Sequence, residues 1–263
     1  MEEKNDDNTL TDKTEKNEEI IEEITEEITD VSESQEEIDR TPWVFFDYSG
    51  TLVDTVNALS KTYTKMIGKN FPPDKVKSFY KEYHSANKIK IFIKYRLNPL
   101  KFLFKGKQRF EEIRKEEFSN SVRAFPGVYD VLSRMKKMAN VKMAIVTHEV
   151  ELNEREEREK IFQKFGIPNV FDDVVTDYWN KKDSFDTFVE EKNIGYGIFV
   201  SDTQFDLNLG KNHNFDTIGV TWGFSSREEL EANHIIDDPR ELLQIIVGLL
   251  RKMEHQQLHG DPI

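Results

Sequence analysis

The run Trp43 to Asp54, W-V-F-F-D-Y-S-G-T-L-V-D, constrains the fold more than any other stretch of the chain. Four bulky residues in a row, Trp43, Val44, Phe45 and Phe46, suit a strand covered on both faces, as in a parallel sheet. The run stops at Asp47, which places that acid at the carboxyl end of the strand, where α/β sheets put their chemistry. Gly50 permits a sharp turn and a close approach to a ligand, Ser49 and Thr51 supply hydroxyls, and Asp54 precedes a helical stretch. The plainer alternative is a strand-to-helix turn in which Asp47 only caps the helix.

The chain beyond Phe125 decides between them, because it alternates helix and strand. Pro126-Gly127 opens a helix through Met138, and Val141 to Val146 is a short apolar strand ending at Thr147-His148. A charged helix from Glu151 to Phe165 leads through Gly166-Ile167-Pro168 to a third strand at Val174 to Thr176. Helix Ser184 to Lys192, strand Gly197 to Val200 ending at Ser201-Asp202, helix Asp206 to Asn212, strand Thr217 to Val220 and a helix from Pro239 to Met253 complete the series. This alternation predicts an α/β fold with a doubly wound parallel sheet. Between the first strand and this series, residues 55–68 and 74–122 read as helical, with breaks at Pro72, Pro73, Asn98, Pro99 and Gly106. The expected organisation is therefore a tail over 1–40, an α/β core over 41–56 and 123–255, an all-helical cap over 57–122, and a loose end over 256–263.

Charge divides the chain along the same lines. Residues 1–40 carry 17 acids against 4 bases, residues 61–123 carry 6 against 17, and the remainder 27 against 16. The first segment is too poor in apolar groups to offset its ordering entropy and is expected to be disordered. Ile20, Ile21, Ile24 and Ile28 fall at helical spacing within it, the pattern of an amphipathic helix on docking or of a transient solvated one. In the basic segment, Lys88 to Lys107 interleaves bases with large apolar groups. That is either a surface for an anionic partner, such as nucleic acid or the chain's own acidic tail, or a helical cap with solvated lysines. Cysteine is absent, which excludes disulfides, thiolate metal sites and a cysteine nucleophile. With no membrane-length apolar run and no charged-then-apolar leader, the expected location is cytoplasmic.

Three strand ends present polar groups suited to phosphoryl transfer: Asp47 with Ser49 and Thr51, then Thr147, then Asp202 with Asp206. Two carboxylates from separate strands can hold Mg²⁺, a hard ion satisfied by oxygens. Lys181 or Lys182, just before a helix with Asp183 as the expected N-cap, would balance the negative charge, and the Thr147 hydroxyl would hold a phosphoryl oxygen.

These motifs resemble the haloacid dehalogenase superfamily, and most of all its phosphoglycolate-phosphatase-like branch with a helical cap after the first motif. The likeness covers residues 43 to about 250. The family's Asp-x-Asp-Gly-Thr-x-x-Asp corresponds to Asp47 through Asp54, Thr147 closes the strand of the second motif, and S-D-T-Q-F-D from Ser201 to Asp206 fits the acidic fourth motif. Gly210 to Phe224, ending I-G-V-T-W-G-F, is similar to the sequence that many capped members carry there. The resemblance implies a Mg²⁺-dependent phosphohydrolase acting on a small phosphate ester through an aspartyl-phosphate at Asp47. It implies a metal held by Asp47, the Ser49 main-chain carbonyl and Asp202, with Asp206 in support. Thr51, Thr147, His148 and the lysine are expected at the phosphoryl group. Lys181 puts Phe185, Phe188 and Ile194 in register with the family's following helix; Lys182 remains open.

The departures carry equal weight. Where the family has a second aspartate as general acid and base, this chain has Ser49, which cannot serve in that way at neutral pH, so a step worth roughly 10²–10⁴ in rate needs another group. His148 stands where Asn is common, either as that group or as a structural histidine, and Ser201 stands where Gly is usual. Two functions follow as expectations: a slow phosphatase, or a catalytically impaired phosphatase fold retained as a binding module for an anionic partner.

Overall fold

The computed structural model describes residues 41–83, 88–97, 105–138, 141–177 and 180–259. The expectations for residues 1–40 and 260–263 lie outside the described residues. β1 (Trp43–Asp47) is buried along its whole length because it pairs in parallel on both edges, with β2 (Lys142–Thr147) and with β4 (Gly197–Ser201). With β3 (Asp173–Thr176), β5 (Asp216–Val220) and β6 (His234–Ile236), these strands form a six-stranded parallel sheet in the order β3-β2-β1-β4-β5-β6.

Side-chain alternation along β1 explains its composition. Val44 and Phe46 enter one core with Val131 and Leu132 of α5 (Val128–Met135), Phe162 of α6 (Arg155–Phe165) and Ile246 of α9 (Leu242–His259). Trp43 and Phe45 enter the other with Phe185 of α7 (Lys181–Glu191) and Leu209 of α8 (Gln204–Asn212). Phe45 stacks on Phe215 at 5.8 Å and meets Phe185 edge-on at 5.0 Å, so this face is filled by interlocked aromatic rings. The chain runs from β1 outward to β2 and β3 on one side, then returns to β4 beside β1 and continues outward on the other. The point where the strand order reverses lies between β1 and β4, and their carboxyl ends carry Asp47 and Asp202. Open α/β sheets have their ligand crevice at such a point.

The insert between β1 and α5 is helical: α1 (Val56–Ile67), α2 (Pro73–Tyr83), α3 (Lys88–Lys94) and α4 (Lys105–Ser121). It has its own core of Leu59, Tyr63, Phe71, Phe79, Tyr95 and neighbouring apolar groups. The two connections to the sheet cross as antiparallel neighbours, with Asp54 N donating to Arg123 O at 2.9 Å and Phe125 N to Leu52 O at 3.1 Å. Entry and exit are therefore held together at one seam.

Several boundaries differ from the sequence expectations. β6 was not foreseen; it is three residues long, and only Ile236 of it is buried. The break expected at Gly106 falls inside the first turn of α4, where one glycine costs about 1 kcal/mol and packing overrides it. The helix expected from Ser184 begins at Lys181, capped by Asn180 and not by Asp183, whose amide the Asn180 side chain accepts. The helix expected from Glu151 is a short 3-10 turn, Val150–Leu152, followed by α6. The end expected to be loose over 256–263 continues α9 as far as His259.

Candidate active site

Four charged side chains from three segments meet beneath the carboxyl ends of β1 and β4. Asp47 ends β1, Asp202 follows β4, Asp206 lies in the first turn of α8 and Lys181 opens α7; all four are buried. Lys181 Nζ is 2.5 Å from Asp47 Oδ1 and 3.0 Å from Asp206 Oδ1. The second approach is a charge contact and not a well-aligned hydrogen bond, so Asp206 Oδ1 has no hydrogen-bond partner. Asp206 is oriented by Thr203, the N-cap of α8, whose hydroxyl donates to Asp206 Oδ2 at 3.2 Å and accepts from its amide.

The Thr51 hydroxyl ties the two strand ends together. It lies 3.0 Å from Asp202 Oδ1 and 3.4 Å from Asp47 Oδ2, and it accepts from the Asp202 amide at 3.1 Å. A hydroxyl has one proton, and the nearer carboxylate takes it. Asp47 Oδ2 is thereby left without a close donor. Asp202 Oδ2 accepts from the Phe224 amide at 2.7 Å. The approach is so tight that a Cβ on Gly50, at φ +89°, would lie 2.2 Å from Asp202 Oδ2, and one on Gly223 would lie 2.1 Å from it. Only glycine fits at either position. The Trp222 indole donates to Thr51 O at 3.0 Å and fixes the other side of the loop.

Three carboxylates cluster here around one ammonium, which pairs with two of them, Asp47 and Asp206. Burial pushes the Asp47 carboxyl well above its usual range, against the lowering effect of Lys181, while Asp206 and Asp202 push the same way as burial. Burial also raises Asp202, to about 6, although the Phe224 amide and Thr51 hydroxyl oppose it. For Lys181, burial disfavours the ammonium, but Asp206 and Asp47 outweigh it and its pKa rises. The cluster holds more negative charge than Lys181 neutralises, and its free acceptors are all oxygens, the donor set of a hard divalent cation. Among the described residues no three carboxylate or imidazole side chains form a ready ligand group, so side chains alone would not complete the shell of a cation here, and main-chain or non-protein oxygens would be needed beside the carboxylates.

A cleft of about 410 Å³ opens over this cluster, between the sheet and the helical insert. Asp47, Ser49, Thr147 and Lys181 line it from below, and Leu59 and Tyr80 from above. Thr147 is buried at the end of β2 and accepts from the Glu149 amide at 3.2 Å, which leaves its proton for a ligand. His148 lines the same cleft and is exposed. Two expected residues are placed otherwise. Lys182 is exposed and paired with Asp186 one turn along α7, outside the cleft lining. Thr51 does not line the cleft either, because its hydroxyl is taken up by the two carboxylates. Sequence reasoning quoted the W-G-F run of Trp222, Gly223 and Phe224 only as part of the resemblance and gave it no role, because that role depends on a close approach that spacing does not reveal. It missed Arg114 and Glu149, joined across the cleft at 3.0 Å.

Comparison with known proteins agrees with the geometry. The model for haloacid dehalogenase-like hydrolases matches residues 44–220, and the chain belongs to that family. A phosphoglycolate phosphatase from Synechococcus elongatus is 22% identical over 221 residues, 80% of this chain and 99% of the relative. The pyrophosphatase PpaX from Oceanobacillus iheyensis is 23% identical over 226 residues, covering 77% and 95%. Among solved structures, a haloacid dehalogenase-like family hydrolase from Streptococcus pneumoniae superposes with a TM-score of 0.58 at 19% identity, over 78% of this chain and 97% of its own. These relatives favour a phosphatase over the binding-module alternative. An anionic partner at Lys88 to Lys107 gains no support: α3 and the turn after it send Ile91, Tyr95 and Leu97 into the core of the insert, Lys94 pairs with Glu82 at 2.5 Å, and residues 98–104 lie outside the described residues. Among the described residues no helix is long and apolar enough to cross a membrane.

Proposed function

We propose that this chain is a Mg²⁺-dependent phosphohydrolase that cleaves a small phosphate ester by way of an aspartyl-phosphate on Asp47. The observation that carries the reading is the buried cluster of Asp47, Asp202, Asp206 and Lys181, with Asp47 Oδ2 left undonated while Oδ1 is held by the lysine. Buried charges in excess of their partners lower stability. A bound cation would supply the missing compensation, and with Lys181 it would also offset the charge of an incoming phosphoryl group.

Asp47, Asp202 and the Ser49 main-chain carbonyl would hold the cation, and Ser49 suffices there because only its backbone is used. When bound, Mg²⁺ supplies positive charge to the phosphoryl oxygens. The chain's own groups do the rest. Lys181 fixes the Asp47 carboxylate and offsets its charge and that of the phosphoryl group; Asp206 positions Lys181. The Thr147 hydroxyl donates to a phosphoryl oxygen from the next strand. Asp47 then attacks phosphorus, the ester bond breaks, and water later releases phosphate from Asp47. Ser49 contributes no proton transfer, so turnover is slow unless another group of the cleft supplies it.

The test is hydrolysis of p-nitrophenyl phosphate by the full chain. Turnover that needs Mg²⁺, stops with a chelator and is lost in Asp47→Asn supports the proposal. Turnover that persists in that variant removes it.

A further inference from the structure

We propose that His148 supplies the proton transfer that Ser49 does not; this rests on the phosphohydrolase reading above. Hydrolysis of an alkyl phosphate needs a group that gives a proton to the leaving oxygen and later takes one from water. The cleft holds few groups able to do so. Lys181 is held by Asp47 and Asp206, Lys81 by Glu229, and Arg114 by Glu149, so these cations are committed and charged. Both oxygens of Glu149 face Arg114 Nη1 at 3.0 Å. Glu229 is held below the usual carboxylate range, first by Lys81 and next by the Ser226 amide. Asp206 is tied to Thr203. Lys77 and Tyr80, whose ring packs on Phe224 at 5.2 Å, line the cleft from the helical insert and not from the strand ends beside Asp47.

His148 differs from all of these. Its Nδ1 is 2.7 Å from the main-chain oxygen of Asp177. A carbonyl only accepts, so Nδ1 carries a proton, and Nε2 is the nitrogen left to exchange one. That contact fixes the ring in both protonation states. Val146 is the register partner of Asp47 across β2 and β1, and His148 stands two residues further along, about 6.6 Å in the strand direction, on the side where the cleft opens. Its exposure gives it a route to exchange protons with solvent between turnovers.

The step balances without another reactant. With the imidazolium form at the start, an Asp47 oxygen bonds to phosphorus, the ester P–O bond breaks, and the departing alkoxide takes the proton from Nε2. In the second half, Nε2 takes a proton from water as the water oxygen bonds to phosphorus and the Asp47–phosphorus ester bond breaks. Phosphate leaves, and Asp47 and the imidazolium are regenerated.

The experiment compares kcat/KM for p-nitrophenyl phosphate, whose leaving group needs no proton, with that for ethyl phosphate, whose leaving group does. We expect His148→Gln to lower the ethyl phosphate value by about 10²-fold or more and the aryl value by much less. In a Ser49→Asp background, where a carboxylate is restored beside Asp47, the same substitution should cost less than tenfold on ethyl phosphate. Equal losses on both substrates, no loss, or an undiminished loss in the Ser49→Asp background would overturn the proposal. Should His148→Gln fail to fold, the dependence of kcat/KM on leaving-group basicity in the natural chain decides: a shallow slope, close to that of Ser49→Asp, supports an acid already at work, and a steep one excludes it. If only Ser49→Asp hydrolyses any ester, both this role and natural turnover fall. If the natural chain hydrolyses both esters and His148→Gln changes neither, this role alone falls.

Discussion

Lys181 Nζ lies 2.5 Å from Asp47 Oδ1, a contact between two buried side chains 134 positions apart in sequence. It exists because β1 and α7 deliver their ends to the same rim of the sheet. Removing one partner leaves a buried charge uncompensated, which is costlier than losing a surface pair. Lys181→Met is expected to destabilise the protein by about 3–5 kcal/mol and to reduce turnover by at least about 10²-fold. Lys182→Met, which loses only the exposed, solvent-screened pair with Asp186, should leave stability and turnover nearly unchanged. Urea unfolding of the two variants, with steady-state rates, checks both values.

The hydroxyl of Thr51 joins the Asp202 and Asp47 carboxylates, and their excess charge is the basis for expecting a cation. Millimolar Mg²⁺ should raise the Tm of the natural chain in neutral buffer, since a ligand that binds only the folded state stabilises it. Asp202→Asn should abolish that rise. Calorimetric scans with and without Mg²⁺ measure the difference, and an equal rise in both proteins would move the cation elsewhere.

Gly50 has no room for a methyl group against Asp202 and sits at φ +89°. Gly50→Ala combines strain at a positive φ with displacement of a buried carboxylate, so a loss of at least about 2 kcal/mol is expected, together with loss of the Mg²⁺ response. Gly68, also at positive φ but with open space around it, serves as the control: Gly68→Ala should lose only the strain.

The helical insert is joined to the sheet side of the molecule by Lys81 and Glu229. Lys81 holds the Glu229 carboxyl below its usual range. A depressed folded-state pKa stabilises above the unfolded value, near 4.3 for Glu, and that contribution disappears as pH falls through the lower folded value. The pair is partly exposed and screened, so it contributes about 0.5 kcal/mol or less. The stability of the natural chain should exceed that of Glu229→Gln slightly at pH 7, and the excess should shrink as the pH is lowered below about 4.3, as read from paired thermal melts.

How much of this was legible in the sequence follows from what each element buries. Strands covered on both faces announce themselves, so Trp43 to Phe46, Met143 to Val146 and Ile198 to Val200 could be placed, and with them Asp47, Thr147 and Asp202 at the strand ends. β6 could not, because a three-residue edge strand with His234 exposed has no apolar run to detect. Lys181 was preferred to Lys182 only through the resemblance, which puts Phe185, Phe188 and Ile194 in register with the family's following helix, since the N-cap at Asn180 was concealed by a more persuasive acid at Asp183. Phe224 and Gly223 escaped because their contribution is a main-chain amide and a missing side chain, neither of which leaves a chemical signature in composition.

The central claim is that Asp47 becomes phosphorylated, and rapid mixing with p-nitrophenyl phosphate and Mg²⁺, followed by acid quench, proteolysis and mass spectrometry, tests it most directly. The expected result is the added mass of one phosphoryl group on the peptide containing Asp47, present only with Mg²⁺ and absent in Asp47→Asn. A phosphoryl group on another residue, or hydrolysis that continues in Asp47→Asn with no label, would contradict it.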